Sequence, residues 1–278
     1  MVQPSTSPKP NLAPTPIVAA KKFRLSHRVA AFHWVAPEPT KHPVLLLHGF
    51  ATSSAMNWVM TGWINPLLEA GHSVLAFDLP GHGDSGTPED LEPYNRHALI
   101  GYINQLITTV GANKVHILGY SFGSRLGWQY CVEHPERVVS LGLGGTSPKD
   151  RLAMMRLDQV DAYLEDQSPI TDPLTKSLMT IAETDPSKLA ARLKLIRAAQ
   201  RWPYDPETDV PDVPIVAVTG EKDQIAQDSP VMIEIAAANG HPNEFHWVPG
   251  RDHINVTSSR LFKDKIIEFF RRHDGRQK

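Results

Sequence analysis

The amino-acid sequence predicts an α/β fold in which helices cover both faces of a mainly parallel, doubly wound sheet. Short runs that are wholly apolar, such as Val44–Leu47 and Val74–Phe77, have the composition of strands buried on both faces. These runs alternate along the chain with stretches whose apolar residues recur every three or four positions, as on an amphipathic helix. A length of 278 residues fits one large domain of this class.

Each apolar run and each periodic stretch predicts one element of this fold. Leu99, Ile103 and Leu106 keep a helical period, and the same period returns near the end of the chain. The predicted strands are residues 44–47, 74–77, 115–118, 138–143, 213–219 and 245–248, and the predicted core helices are residues 99–110, 124–134 and 261–270.

Between residues 147 and 210 the alternation stops and only helical patterns remain. We interpret this segment as a helical cap inserted into a core of residues 21–146 and 211–278. Apolar residues at steps of four and three predict two cap helices, and the spacing of Leu152, Met155 and Tyr163 predicts another. Residues 1–16 contain five prolines and no apolar stretch of the kind a secretory signal needs, so residues 1–20 are predicted to be a disordered extension.

Composition excludes several classes of function. A net charge of −2 gives no basic surface for nucleic acid, and no apolar run approaches the length of a membrane span. The single cysteine, Cys131, cannot form an internal disulfide, which is consistent with a reducing cytoplasm. No metal-binding spacing is present, so a required metal is not expected. These observations favour an enzyme with a small-molecule substrate and leave its oligomeric state open.

The pentapeptide Gly119-Tyr120-Ser121-Phe122-Gly123 follows a strand candidate and precedes a helix candidate. A serine hydroxyl is a weak nucleophile and must be presented on a tight turn, where a base can reach it. Glycines on both sides permit that turn because they have no Cβ. Ser121 is therefore a candidate nucleophile, although a G-x-S-x-G match by itself also occurs in unrelated loops.

Further motifs stand in a recognisable order. His48-Gly49-Phe50 follows the first buried run, and the glycine-rich segment of residues 78–86 follows the second. With the pentapeptide, these blocks make the chain from Lys22 to Arg272 resemble the α/β-hydrolase superfamily, within the branch of epoxide hydrolases, C–C bond hydrolases and small esterases. The resemblance implies an eight-stranded sheet and no organic cofactor. Epoxide hydrolases and haloalkane dehalogenases carry aspartate as the nucleophile, and Ser121 argues against both activities.

The family order of a catalytic triad is serine, acid and then histidine. Asp223 follows the strand candidate at residues 213–219, and His253 follows the last strand candidate, so the resemblance implies that they are the acid and the base. Rival carboxylates lie nearby at Glu221, Asp228 and Asp252. The sequence leaves the choice of acid more open than the choice of base.

The same resemblance places the oxyanion hole at the backbone N–H groups of Phe50 and Phe122. Two further histidines of these motifs, His48 and His82, are interpreted as residues that brace the loops.

Candidates for substrate binding come from the helices. Arg125 lies four residues after Ser121, where its cation could meet a substrate carboxylate or form a structural ion pair, and the ion pair is favoured. Met154, Met155 and Met179 are candidates for an apolar acyl pocket, because thioethers adapt to varied ligands, although packing alone would also explain them. The predicted function is hydrolysis of a carboxylic ester through an acyl-enzyme. A C–C bond hydrolase, a lactonase, a thioesterase and a non-enzymatic ligand receptor remain alternatives.

Overall fold

A computed structural model describes residues 17–275, which contain eight strands and eight α-helices. The strands are β1 (Lys21–Arg24), β2 (Ala30–Trp34), β3 (Val44–Leu47), β4 (Val74–Phe77), β5 (Val115–Tyr120), β6 (Val138–Gly144), β7 (Ile215–Gly220) and β8 (Glu244–Val248). The helices are α1 (Ile64–Glu69), α2 (Arg96–Thr109), α3 (Phe122–Glu133), α4 (Leu157–Asp166), α5 (Pro173–Ala182), α6 (Leu189–Ala199), α7 (Ser229–Ala236) and α8 (Arg260–His273).

All eight strands of the described chain form one sheet in the order β1-β2-β4-β3-β5-β6-β7-β8. Strand β2 runs antiparallel to both of its neighbours, and every other adjacent pair is parallel. The predicted mainly parallel, eight-stranded sheet is confirmed. Because the parallel strands end at one edge, the loops that follow β3, β5, β6, β7 and β8 meet there.

Side chains of successive strand residues enter two different cores, as the two-residue period of a strand requires. In β3, Leu45 and Leu47 pack into a cluster with α2, α3, α7 and the cap, whereas Val44 and Leu46 pack into a second cluster with α1 and α8. The sheet is therefore covered on both faces, which explains why its central strands are predominantly apolar and buried.

Three helices, α4 to α6, lie between β6 and β7, within the segment predicted as a cap. Helix α6 rests on the loop that follows β4: Lys188 Nζ donates to the Ser85 carbonyl at 3.0 Å, and Lys194 Nζ to the Pro88 carbonyl at 3.1 Å. A Cβ on Gly81 would lie 2.5 Å from the Ala191 side chain, so the loop and the helix are in direct contact.

Several predicted boundaries differ from the structure. Leu152 and Met155 lie in turns before α4, because Arg156 leaves the helical region (ψ 87°), so these two residues do not belong to the third cap helix. Strand β7 begins two residues later than predicted, after Pro214, which has no N–H to donate to a ladder. Helix α3 begins at Phe122 and not at Ser124.

Of the predicted disordered extension, residues 1–16 lie outside the described residues. Val18 and Ala20 pack against the cluster beneath α1 and α8, so the last part of that segment is attached to the core. No helix among residues 17–275 is both long enough and apolar enough to cross a bilayer.

Candidate active site

Ser121 occupies the turn between β5 and α3, with φ 53° and ψ −117°. Positive φ is rare for a residue with a side chain, and it persists only where the surroundings enforce it. A Cβ on Gly119 would lie 2.2 Å from the Gly123 carbonyl oxygen, and a Cβ on Gly123 would lie 2.0 Å from the Leu47 carbonyl oxygen. Only glycine fits at both positions, so the two glycines permit the turn that holds Ser121.

The end of β6 holds this turn in place. Ser121 N donates to the Gly144 carbonyl at 2.8 Å, and the buried Ser124 hydroxyl donates to the carbonyls of Gly119 and Gly144 at 2.8 and 2.9 Å. Gly145 follows with φ 54°, and a Cβ there would lie 2.9 Å from His253 Cε1. The backbone of residues 144–145 therefore contacts the nucleophile turn on one side and the histidine ring on the other.

His253 and Asp223 meet in this region. His253 Nδ1 lies 2.7 Å from Asp223 Oδ2, and the Asp223 side chain is fully buried. The second oxygen, Oδ1, accepts the backbone N–H groups of Ile225 and Ala226, each at 3.0 Å. The carboxylate therefore has a fixed orientation towards Nδ1. With Nδ1 donating to Asp223, the neutral ring carries its lone pair on Nε2.

The rival carboxylates have other partners. Asp252 Oδ1 accepts the N–H groups of Ile254 and Asn255 in its own exposed turn, and these backbone hydrogen bonds lower the pKa of Asp252. Glu221 accepts the N–H of Gly250 at 2.8 Å and so ties two loops together. Asp228 faces Lys149, 3.6 Å away. Of the four carboxylates considered from sequence, it is Asp223 that contacts His253.

A residue that the sequence analysis did not single out helps to hold His253. The Tyr120 hydroxyl, from the last residue of β5, donates a hydrogen bond to the His253 carbonyl, and the two rings lie 5.3 Å apart. Tyr120 is buried beside Ser121 and so links the nucleophile strand to the histidine loop. Its place as the variable residue inside G-x-S-x-G carries no signal for this contact.

The candidate oxyanion loop lies against the nucleophile. A Cβ on Gly49 would be 3.3 Å from the Ser121 Cβ, and the Gly49 N–H is held by Asn57 Oδ1 at 3.0 Å. Phe50 N follows this fixed position. Phe122 N is the first N–H of α3, where an intrahelical acceptor does not exist.

The two histidines interpreted as loop-bracing do brace the loops, and they do so reciprocally. His48 Nε2 accepts the Leu79 N–H, and His82 Nε2 accepts the Ala51 N–H, both at 3.0 Å. Their Nδ1 atoms pair with backbone carbonyls, so both rings are neutral. Burial lowers the pKa of His48, and it lowers that of His82 well below its ordinary value. Ala51, between them, has φ 57°.

Asp78 completes this loop system and was not predicted as a site residue. It is buried, and its two oxygens accept the N–H groups of Ser54 and Asp84 at 2.7 and 2.8 Å. A carboxylate directly after the apolar strand β4 is the signal from which it could have been found.

Arg125, a residue of α3, is buried against the cap. Its Nη1 is 2.5 Å from Asp150 Oδ2, and its Nη2 donates to the carbonyls of Ala199 and Trp202 at 3.2 and 3.1 Å. The guanidinium also lies 4.7 Å from the centre of the Trp202 ring. These contacts favour the structural ion pair over binding of a substrate carboxylate.

The three methionines differ in position. Met154 is 53% exposed, whereas Met155 and Met179 are 3% and 2% exposed, within the apolar cluster shared by the cap and the helical layer. The burial of Met155 and Met179 agrees with a packing role, so their part in an acyl pocket stays a prediction.

The chain is similar in sequence and in structure to known proteins. A family model described as alpha/beta hydrolase fold matches residues 42–182. The chain is 32% identical to epoxide hydrolase 3 of Xenopus tropicalis over 120 residues, which cover 43% of this chain and 32% of that protein. It is 33% identical to a fluoroacetate dehalogenase of Burkholderia sp over 124 residues, 44% of this chain and 38% of that protein.

The matched segments span only about a third of the length of these curated relatives. Among solved structures, a carboxylesterase of the ammonia-oxidizing thaumarchaeon Nitrososphaera gargenis superposes with a TM-score of 0.67 at 17% identity, covering 90% of this chain and 98% of that one. At this identity the likeness concerns the fold.

Proposed function

The chain belongs to the alpha/beta hydrolase fold family, and from that premise we propose that it is a serine hydrolase that cleaves a carboxylic ester through an acyl-enzyme. The observation that carries the proposal is the arrangement at the end of β5. There a strained serine follows Tyr120, which is hydrogen-bonded to the histidine loop, and the Nδ1 of His253 is 2.7 Å from a fully buried aspartate. Nucleophile, base and orienting acid are the three groups that such a reaction needs.

In the proposed reaction the Ser121 hydroxyl oxygen attacks the ester carbonyl carbon. His253 Nε2 takes the hydroxyl proton as the bond forms and then gives it to the departing alcohol. Asp223 acts through Nδ1: it holds the ring in the tautomer whose Nε2 is basic, and it stabilises the imidazolium. A water molecule, activated by the same nitrogen, then releases the acid from Ser121.

The negative charge that develops on the carbonyl oxygen requires donors. We assign these to the backbone N–H groups of Phe50 and Phe122, on the two segments that border Ser121. Gly49 is fixed by Asn57, and Phe122 begins α3, so neither donor needs to move when charge develops. The reaction as proposed uses no metal or organic cofactor.

Arg125 bears on the alternatives. A C–C bond hydrolase acting on an acidic substrate would gain from a free cation near the serine, but Arg125 is bound to Asp150 and two cap carbonyls. Lactone and thioester cleavage would use the same triad, and neither has an observation of its own in its favour. Ester hydrolysis with an uncharged acyl part is therefore the better-supported function.

The test is a series of chromogenic esters of increasing acyl length, assayed with wild-type protein and with Ser121→Ala. We expect the variant to lose on the order of 10⁴- to 10⁶-fold in kcat, because the nucleophile is gone. Ser187→Ala, at an exposed serine of the cap, is the matched control and should retain full activity.

A fluorophosphonate reagent distinguishes an enzyme from a ligand receptor of the same fold. It should modify wild-type protein once, at Ser121, and leave Ser121→Ala unlabelled. Ester turnover that persists in Ser121→Ala, or labelling at another serine, would contradict the proposal.

A further inference from the structure

A second cluster of ionisable side chains lies at the opposite edge of the sheet. His42 precedes β3, His72 precedes β4, and His116 is the second residue of β5. Strand β3 is parallel to both β4 and β5, and His116 pairs in register with Val44. The three histidines therefore lie at the same edge of the sheet, where these strands begin. Asp274, directly after α8, joins them there. Residues far apart in sequence are thus brought together, which the spacing of motifs could not reveal.

One oxygen of Asp274 is enclosed by this cluster. Asp274 Oδ1 accepts the backbone N–H of His42 at 3.1 Å, and it lies 2.9 Å from His42 Nδ1 and 3.3 Å from His116 Nε2. One donor atom from each of these three residues lies within 4.8 Å of the others. The side chains of His116 and Asp274 are 0% and 1% exposed, so the cluster is not an ordinary surface charge pair.

The other oxygen of Asp274 has the Lys41 ammonium 3.8 Å away but accepts no hydrogen bond among the described residues. Asp274 Oδ2 and His72 Nε2 are both buried without a hydrogen-bond partner among the described residues, and they lie 3.8 Å apart. His72 Nδ1 lies 2.8 Å from the His42 carbonyl, which can only accept, so Nδ1 carries the ring proton. In the neutral ring, Nε2 is then a lone pair that faces a carboxylate oxygen. Two buried acceptors that face each other destabilise the folded protein unless a cation lies between them.

We propose that His42, His116 and Asp274, with His72 as a fourth donor, form a binding site for a divalent transition metal, of which Zn²⁺ fits best. Imidazole nitrogen and carboxylate oxygen are ligands that zinc accepts in proteins, at about 2.0–2.2 Å from the ion. Two ligands of one ion can therefore lie up to about 4 Å apart. The distances from the Asp274 oxygens to His42 Nδ1, His116 Nε2 and His72 Nε2, which are 2.9, 3.3 and 3.8 Å, fall within that limit.

The surroundings agree with such a site. Two surface cavities of about 320 and 260 Å³ are both lined by His42, and the second is also lined by Asp274, which gives an ion a path from solvent. Ser140 Oγ lies 2.8 Å from His116 Nδ1 and would orient that ring, as outer partners do in zinc sites. Lys41 Nζ, 3.8 Å from Asp274 Oδ2, belongs to a side chain that is 36% exposed and can turn towards solvent.

Binding would require the ring protons now on His42 Nδ1 and His116 Nε2 to move to the other nitrogen of each ring, so that each neutral imidazole offers a lone pair to the ion, and Ser140 Oγ can accept the proton that His116 then carries on Nδ1. The ion would tie the end of α8 to the first residues of β3 and β5. The site is remote from Ser121, so its consequence is stability and not chemistry. This inference does not depend on the proposed function.

The experiment uses the full chain, with any affinity tag removed, after dialysis against a strong chelator. Titration with ZnCl₂ by calorimetry should show one Zn²⁺ bound per chain and a melting temperature that rises until one equivalent is added. MgCl₂ and CaCl₂, whose ions prefer oxygen ligands, should give neither effect.

Asp274→Asn and His42→Asn should each weaken zinc binding at least ten-fold and reduce the thermal shift. His42 is only partly buried, so its variant keeps the test valid if Asp274→Asn fails to fold. His241→Asn is the matched control, because His241 is exposed and lies 2.9 Å from Asp212 in a surface His–Asp pair. Absence of stoichiometric binding, or binding unchanged in both ligand variants, would overturn the proposal, as would equal weakening in His241→Asn.

Discussion

At the residue scale, Ser121, the proposed nucleophile, has a strained backbone with φ 53° and ψ −117°. A non-glycine residue in this region costs about 1–3 kcal/mol. The hydrogen bonds of Ser121 N and Ser124 Oγ to the Gly144 carbonyl offset that cost, and the absent Cβ atoms at Gly119 and Gly123 prevent further clashes. The strain thus lies at the residue that we propose as the nucleophile.

Asp223→Asn is expected to lower kcat by about 10⁴-fold, since an amide at this position favours the wrong tautomer of His253. Asp252→Asn, which alters the carboxylate adjacent to His253 in the sequence, should change kcat little, because Asp252 bonds to its own turn. Steady-state kinetics on one chromogenic ester measure both. If Asp252→Asn proved the more damaging change, the acid would be assigned to the wrong residue.

At the element scale, two loops interlock through His48 and His82. Each ring accepts an N–H from the opposite loop, and a protonated ring has no lone pair with which to do so. Acid should therefore separate the oxyanion loop from the loop that follows β4. The neutral form of both rings belongs to the native state.

The pH dependence follows from the depressed pKa of His82. Below pH 6.5, the ordinary pKa of histidine, this side chain is protonated in the unfolded chain but stays neutral in the folded protein. The free energy of unfolding therefore falls as the pH falls from 6.5 towards the folded pKa. One such group contributes a slope of at most about 1.4 kcal/mol per pH unit. His82→Gln keeps an acceptor without titrating, and its slope in urea unfolding between pH 7 and 5 should be shallower.

His241→Gln, at the exposed surface pair, is the control for the His82 experiment and should leave the slope unchanged. Identical slopes for wild type and His82→Gln would show that His82 does not carry the acid sensitivity.

Helix α3, which follows Ser121, contacts the cap through Arg125. Arg125→Met should destabilise the protein by about 3–5 kcal/mol, because it leaves Asp150 buried without its partner. The double variant Arg125→Met/Asp150→Asn removes both charges and should be more stable than the single variant in urea unfolding. An increase in KM confined to esters with a carboxylate, at unchanged stability, would instead indicate a substrate contact.

At the scale of the whole molecule, the sheet separates two polar sites. Ser121 follows His116 by five positions along and just beyond β5, a distance of about 16 Å at the rise of a strand. The ester rate should therefore stay unchanged after dialysis against a chelator, even where the melting temperature falls. A rate that is lost on dialysis and restored by zinc would show that the hydrolysis requires metal.

The sequence by itself determined the class of fold and the position of the turn that holds Ser121, the candidate nucleophile. Predominantly apolar runs of four to seven residues are typical of a sheet covered on both faces, so β3 to β8 were predicted, most with bounds close to those observed. Strands β1 and β2 and helices α1 and α7 were not predicted, because edge strands and short helices carry weaker patterns. Ser121 was found because the glycine requirement of its turn is local.

Only the tertiary structure decided which side chains meet. The choice of Asp223 among four carboxylates, the pairing of Arg125 with Asp150 and the hydrogen bond from Tyr120 to His253 all join segments distant in sequence. The cluster of His42, His116 and Asp274 arises in the same way, across up to 232 positions. Periodicity records which face of an element is buried, whereas these contacts depend on the order in which the strands lie in the sheet. That order results from packing of the whole chain, and no local pattern encodes it.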